Sequence, residues 1–158
     1  MRAVVQRVSS AGVSVDNHTI GEIGQGVVVF LGVARGDTER DADYLSDKIV
    51  NLRIFEDSAG KMNLSILDIS GEMLVVSQFT LLADCRKGRR PSFIDAAGFE
   101  EADELYEYFV KRARRQIKKV ATGQFRTMMN VTLVNNGPVT MILESIKKQA
   151  MVMHEQGE

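Results

Sequence analysis

Ser77, Gln78 and Thr80 are the residues whose setting first suggests chemistry, because they break an apolar run over residues 73–82 that otherwise reads Met, Leu, Val, Val, Phe, Leu, Leu. Inside a buried strand each polar side chain costs roughly 1–3 kcal/mol unless it finds a partner. Three polar residues in four positions fit a site. They fit equally a strand whose last residues turn outward, with Ser77 and Thr80 bonded to neighbouring backbone. Ester hydrolysis needs a nucleophile, a base and donors for the developing oxyanion, and the base is what the chain lacks. Only His18 and His154 exist, one in a turn-like stretch and one in the tail, neither with a carboxylate pattern to orient it. A Ser-His-Asp arrangement on Ser77 or Thr80 is therefore weakly supported. Cys85, the single cysteine, reads first as a small buried or partly exposed thiol. No group of His, Cys and carboxylates has metal-ligand spacing, so neither metal nor cofactor is expected. What remains is positioning, with backbone N–H groups near Phe79 and Thr80 holding a carbonyl oxygen, worth about 2.7–4 kcal/mol per well-placed donor.

A second stretch, Asn135-Asn136-Gly137-Pro138-Val139-Thr140, holds one of the two prolines and lies between strand-like runs. At these two stretches the sequence resembles the D-aminoacyl-tRNA deacylases, which remove wrongly attached D-amino acids from tRNA. The family's Ser-Gln-Phe-Thr-Leu motif stands here as Ser77-Gln78-Phe79-Thr80-Leu81, and its Gly-Pro motif as Gly137-Pro138. The start Met1-Arg2-Ala3-Val4-Val5-Gln6-Arg7-Val8, the segments Arg53-Ile54-Phe55-Glu56-Asp57 and Gly60-Lys61-Met62-Asn63, and Arg90-Pro91-Ser92-Phe93 also look like the family, in its order.

The resemblance implies hydrolysis of D-aminoacyl-tRNA, and of glycyl-tRNA, since glycine has no side chain to exclude. It implies Ser77, Gln78, Phe79 and Thr80 as the catalytic positions, with the 2′-OH of the RNA in place of a protein base. Thr80 then positions substrate; its use as a nucleophile is the minority option. The resemblance further implies a cis Gly137-Pro138 bond that reaches from one subunit into the other's pocket and leaves no room for an L side chain, hence an obligate homodimer. The sequence alone argues for trans, because only about 5–6% of X-Pro bonds are cis in folded proteins. Two places depart from the family pattern: Asn136, where an acidic residue is common, and Arg126 with Thr127, where small residues follow the Phe at 125. The rival readings are a non-catalytic RNA-binding module, a related editing deacylase with a trans Gly-Pro bond acting on a small L-amino acid, and a thiol hydrolase centred on Cys85.

The elements that position these residues make one α/β domain over residues 1–158, a mostly antiparallel curved sheet or barrel-like β core with two long helices. Residues 2–8 and 12–15 alternate in polarity, which suggests a strand pair, and Asp16-Asn17-His18 has tight-turn chemistry. Residues 27–33 read as a central strand. Thr38 starts a helix to about residue 51, with Asp41 in a capping-box place; residues 53–55 form a short strand and 56–60 a turn. The second helix spans 99–120, its acidic residues in the first half and its basic ones in the second, as the helix dipole favours. Residues 125–134 and 139–144 read as two strands joined by the Asn-Gly-Pro turn in a plain hairpin. The tail from about 147 is expected to fray.

Between strand and helix, a loop over residues 83–98 is too long for a mere connector. It carries Arg86, Lys87, Arg89 and Arg90, the densest basic cluster in the chain, which reads as a clamp on tRNA phosphates or as a solvated loop. With 20 basic and 21 acidic side chains and a net charge of −1, any attraction to RNA must be local. A chain of this length buries roughly 68–70% of its unfolded surface without staples. One cysteine suits a reducing compartment, and no apolar stretch reaches signal or bilayer length. The expectation is a cytoplasmic protein that does not associate with membranes.

Overall fold

A computed structural model describes residues 1–145, so the expected fraying of the tail and His154 lie outside the described residues. Where the polarity pattern predicts a strand pair, the structure has one fourteen-residue strand, β1 (Arg2–Val15). The exposed Ser9 and Ser10 interrupt the alternation without ending the strand, since β8 pairs Val8 and Ser10 on either side of Ser9. The hairpin comes later: Asp16 and Asn17 have φ of 48° and 62°, the left-handed pair that a tight two-residue turn requires, and lead into β2 (His18–Ile23).

The first half of β1 pairs antiparallel with β3 (Gly26–Gly32), the second half with β2. After α1 (Glu39–Asn51) and the small hairpin of β4 (Phe55–Glu56) and β5 (Met62–Leu64), the chain returns through β6 (Glu72–Ser77). β6 runs parallel to β3 on one side and to β7 (Val120–Thr122) on the other. β2 and β7 stand at the two ends of the sheet order, and Ala121 of β7 packs with Val13 and Ile23, so the mixed sheet nearly closes into a barrel.

This closure explains why residues 27–33 and 73–76 are apolar at every position. Val28, Leu74 and Val76 point into the barrel with Val8 and Val13. Val27, Val29, Leu31, Met73 and Val75 point outward under the two helices. A strand covered on both faces has no wet side to carry polar residues.

α1 begins as expected at Thr38, whose backbone N–H donates to the Asp41 carboxylate at 2.8 Å. α2 (Phe99–Arg114) buries Ala102, Tyr106, Phe109, Val110 and Ala113. It ends six residues before the predicted limit. Ile117 keeps the helical spacing and is buried, yet it belongs to the turn that leads into β7, a strand the sequence pattern does not reveal. The basic end of α2 is partly engaged, because Arg112 pairs with Asp43 at 3.1 Å and Asp47 at 2.9 Å on α1.

Tyr106 joins the helix layer to the sheet by donating its hydroxyl to the Val75 carbonyl at 2.8 Å. Burial, the largest cause, pushes its pKa upward. That carbonyl also accepts the Gly123 N–H at 3.2 Å, so Tyr106→Phe leaves it satisfied. The expected cost is therefore only about 0.5–1.5 kcal/mol. Thermal unfolding of the variant should show a Tm lower by about 2–4 °C for each kcal/mol lost; a drop several times larger would mean the hydroxyl does more than bridge.

The last strand, β8 (Asn130–Glu144), is one continuous strand where two strands in a hairpin are expected. It lies antiparallel along almost all of β1, from Arg2↔Glu144 to Ser14↔Asn130, with register shifts at Gln6/Val8 and Val8/Ser10. The Asn-Gly-Pro segment is absorbed at those shifts as an outward bulge, because pairing to β1 continues on both sides of it. Among the described residues, no helix is long and apolar enough to cross a membrane.

Candidate active site

β6 ends at Ser77, which pairs with Leu31 at the end of β3. The polar residues that follow do not extend the strand. Gln78 turns the chain, with its N–H donating to the Leu31 carbonyl at 2.8 Å, and residues Phe79–Leu82 form a 3₁₀ turn. Gly32 makes the turn possible at this place, since a Cβ there would stand 3.0 Å from the Gln78 carbonyl oxygen and 3.1 Å from Leu81 Cβ. The N–H groups of Phe79 and Thr80 open the turn, where no earlier carbonyl of the same helix reaches them. Gln78 Nε2 donates to Thr80 Oγ1 at 2.6 Å. That leaves the Thr80 hydroxyl hydrogen for another acceptor.

Ser77, Gln78, Phe79 and Thr80 line a single cleft of ≈ 770 Å³. Its far wall comes from the loop before α2 and from the stretch between β7 and β8. Four phenylalanines, Phe79, Phe93, Phe99 and Phe125, sit in that lining, and the first three are exposed. Phe79 and Phe93 meet edge to face, with centroids 5.1 Å apart. Among the described residues, neither a histidine nor a carboxylate lines the cleft. His18 is exposed at the β1–β2 turn, its Nδ1 2.8 Å from the Asp16 carbonyl. Cys85 is exposed and outside the cleft. The arrangement can hold an oxyanion and stack a flat ring, and among the described residues it offers no side-chain base.

Gly137 and Pro138 do not line this cleft. They stand in the middle of β8, exposed, and their peptide bond is cis, as the resemblance implies and against the sequence-only expectation. What fixes them is Arg7, only 6% exposed. Its guanidinium donates to the Ile54 carbonyl at 2.7 Å and to the Asn136 carbonyl at 2.9 Å. Asn136 Oδ1 lies 3.5 Å from Arg7 Nη2, so an oxygen of this side chain also faces the guanidinium. Sequence reasoning missed Arg7 because it lies 129 positions away; a cation at a position that otherwise alternates inward was the available signal.

In the long loop, Asp84 and Ser92 exchange backbone bonds at 2.8 and 2.9 Å and close residues 85–91 into a protruding tip. Arg86 clamps the base of that tip, with Nε and Nη2 on the two Asp84 oxygens at 2.9 and 2.8 Å. The Arg86 side chain beside it holds the Asp84 carboxyl down at about 2. Arg86 is thus committed within the loop. Lys87, Arg89 and Arg90 are exposed and make no ion pair among the described residues.

Residues 4–144 match the model of the D-Tyr-tRNA(Tyr) deacylase family. The chain belongs to this family. It is 62% identical over 145 residues to a D-aminoacyl-tRNA deacylase of Dehalococcoides mccartyi, covering 92% of this chain and 95% of that one. A D-aminoacyl-tRNA deacylase of Thermosipho melanesiensis is 59% identical over 148 residues, 93% of this chain and 99% of the relative. Among solved structures, one described as a c-Myc DNA unwinding element binding protein superposes with a TM-score of 0.88 at 41% identity, covering 93% of this chain and all of the other.

Proposed function

We propose that this protein is a hydrolase of the ester bond of D-aminoacyl-tRNA and acts in chiral proofreading during translation. One observation carries the reading: the four residues of the Ser-Gln-Phe-Thr motif floor an aromatic cleft that, among the described residues, holds no side-chain base. Such a site suits an ester that is already activated and whose own ribose carries a vicinal hydroxyl. In this mechanism the N–H groups of Phe79 and Thr80 hold the carbonyl oxygen as negative charge develops. Thr80, oriented by Gln78, positions the ester. The substrate's 2′-OH supplies the proton transfer that a histidine supplies elsewhere. Glycyl esters are accepted for want of a side chain to exclude.

Chirality is read by main chain. Gly137 and Pro138 lie outside their own chain's cleft, so they act on the cleft of a second copy, and the working unit is a homodimer. The β8 edge that carries them supports this, with Ile142 74% and Val134 53% exposed and no partner strand beyond it among the described residues. Chemistry on tRNA supports a cytoplasmic location.

Purified protein should release D-tyrosine from D-tyrosyl-tRNA rapidly and leave L-tyrosyl-tRNA intact. Release of neither would remove the reading and favour a nucleic-acid-binding module, which the DNA-element-binding name of the 41% identical structure suggests. The loop tip serves as an RNA clamp through Lys87, Arg89 and Arg90. Replacing all three by Glu should weaken binding of uncharged tRNA and flatten its log–log salt dependence by about 2 to 3, at 0.7–0.9 for each phosphate contact. An unchanged slope would make the loop merely solvated.

A further inference from the structure

Arg126 lies in the stretch between β7 and β8. Its backbone has φ of 57°, a region that residues other than glycine rarely adopt and that is strained when they do. Its guanidinium lies over the Phe99 ring, 3.9 Å from the centroid. Both residues line the cleft that holds Ser77 and Thr80. The charged residues of that lining, among the described residues, are Arg35 and Arg126, both cationic, in a chain whose net charge is −1. Arg126 makes no ion pair or side-chain hydrogen bond among the described residues. A guanidinium stacked on an aromatic face is held in plane, yet keeps its N–H edge for a bidentate anion.

The anion this edge meets follows from the substrate's chemistry. An esterified amino acid has no free carboxylate, and its ammonium group is repelled by a guanidinium. The only anions on an aminoacyl-RNA end are its phosphodiesters. We infer that Arg126 binds a phosphodiester of the substrate's RNA end, with Phe99 holding the guanidinium in the binding plane. This rests on the deacylase reading, and it makes Arg126 a binding residue for RNA, distinct from the groups that act on the ester.

The test compares D-tyrosyl-tRNA with 3′-O-(D-tyrosyl)adenosine, which presents the same ester without a phosphate. For Arg126→Gln, the ratio of kcat/KM on the tRNA ester to that on the adenosine ester should fall about tenfold, as loss of a charge-assisted contact implies. Arg126→Lys, which keeps the charge without the fork, should recover part of it. Binding of uncharged tRNA should lose about 0.7–0.9 from its log–log salt slope in Arg126→Gln. An equal fall on both esters would overturn the inference in favour of cleft packing, and so would no change on either. Relief of inhibition by free D-tyrosine in the variant, with the ratio unchanged, would assign Arg126 to the product carboxylate instead. If the unsubstituted protein hydrolyses neither ester, the deacylase reading fails; the phosphate contact then stands or falls on the salt slope alone.

Discussion

Gly137→Ala should lower kcat/KM for D-tyrosyl-tRNA by about a hundredfold while the protein stays folded. Gly137 has φ of 126°, a conformation that costs a residue with a Cβ about 1–3 kcal/mol. The added carbon would also meet Arg7 Nη2 at 2.8 Å, Val139 Cγ2 at 3.0 Å and the Val139 nitrogen at 3.2 Å. Arg7 cannot simply swing aside, because it is buried and tied to Ile54 and Asn136. The easier relief is a shift of the 137–138 backbone, which is exposed and lies at a strand edge with no partner strand among the described residues. Stability therefore suffers little. Under the proposed function the carbonyls of this pair fix the substrate in the partner's cleft, and a displacement of about 1 Å at such a point can cost 10²-fold in rate. The check is the rate constant measured beside a thermal unfolding curve. Activity within threefold of the unsubstituted protein, with the fold intact, would show that the Gly-Pro segment does not position substrate.

Gly26→Ala should have the largest effect on the fold itself and prevent recovery of stable protein. Gly26 opens β3 against Glu72 at the start of the parallel pair. A Cβ there would lie 2.7 Å from both the carbonyl carbon and the nitrogen of Glu72, with the carbonyl oxygen closer still. These are backbone atoms, so no rotamer change makes room. The strands must separate where both faces of the sheet are packed, under Met73 and Val27 on one side and Leu74 and Val28 on the other. A loss above about 4–5 kcal/mol is expected, a size reserved for such mechanisms and comparable to the whole stability of many domains. Urea denaturation or recovery of soluble protein reads it directly. A midpoint close to that of the unsubstituted chain would mean that β3 and β6 can separate at Gly26 without loss.

The two cases share a cause. Glycine at each position answers to an atom that lies far along the chain, 46 residues away for Glu72 and 130 for Arg7, and nothing in the local sequence announces it. The same holds at the cleft, where Arg126 and Phe99 come together from segments 27 residues apart.

Much of the rest was legible. The apolar continuity of residues 27–33 and 73–76 marked strands covered on both faces, the 3.6-residue stripe and segregated charges marked α2, and Thr38 with Asp41 marked the start of α1. The break at Ser77 marked the end of β6, because polar side chains cannot continue through a sealed layer without partners. The two motifs marked the family. These features depend on near neighbours and on one question, whether a side chain meets water, and sequence answers such questions directly. Tertiary structure decided what depends on distant pairing. Ser9 and Ser10 resemble a strand end, and Asn135 to Pro138 resemble a hairpin turn, yet β1 and β8 pass through both because each finds its hydrogen bonds on the other. Ile117 prolongs the helical stripe, but β7 takes the chain away to pair with β6. Arg86 looks like a phosphate donor until Asp84 is seen to hold it. Local propensity in each case is worth a kcal/mol or less per residue, and a paired ladder or a buried contact outweighs it.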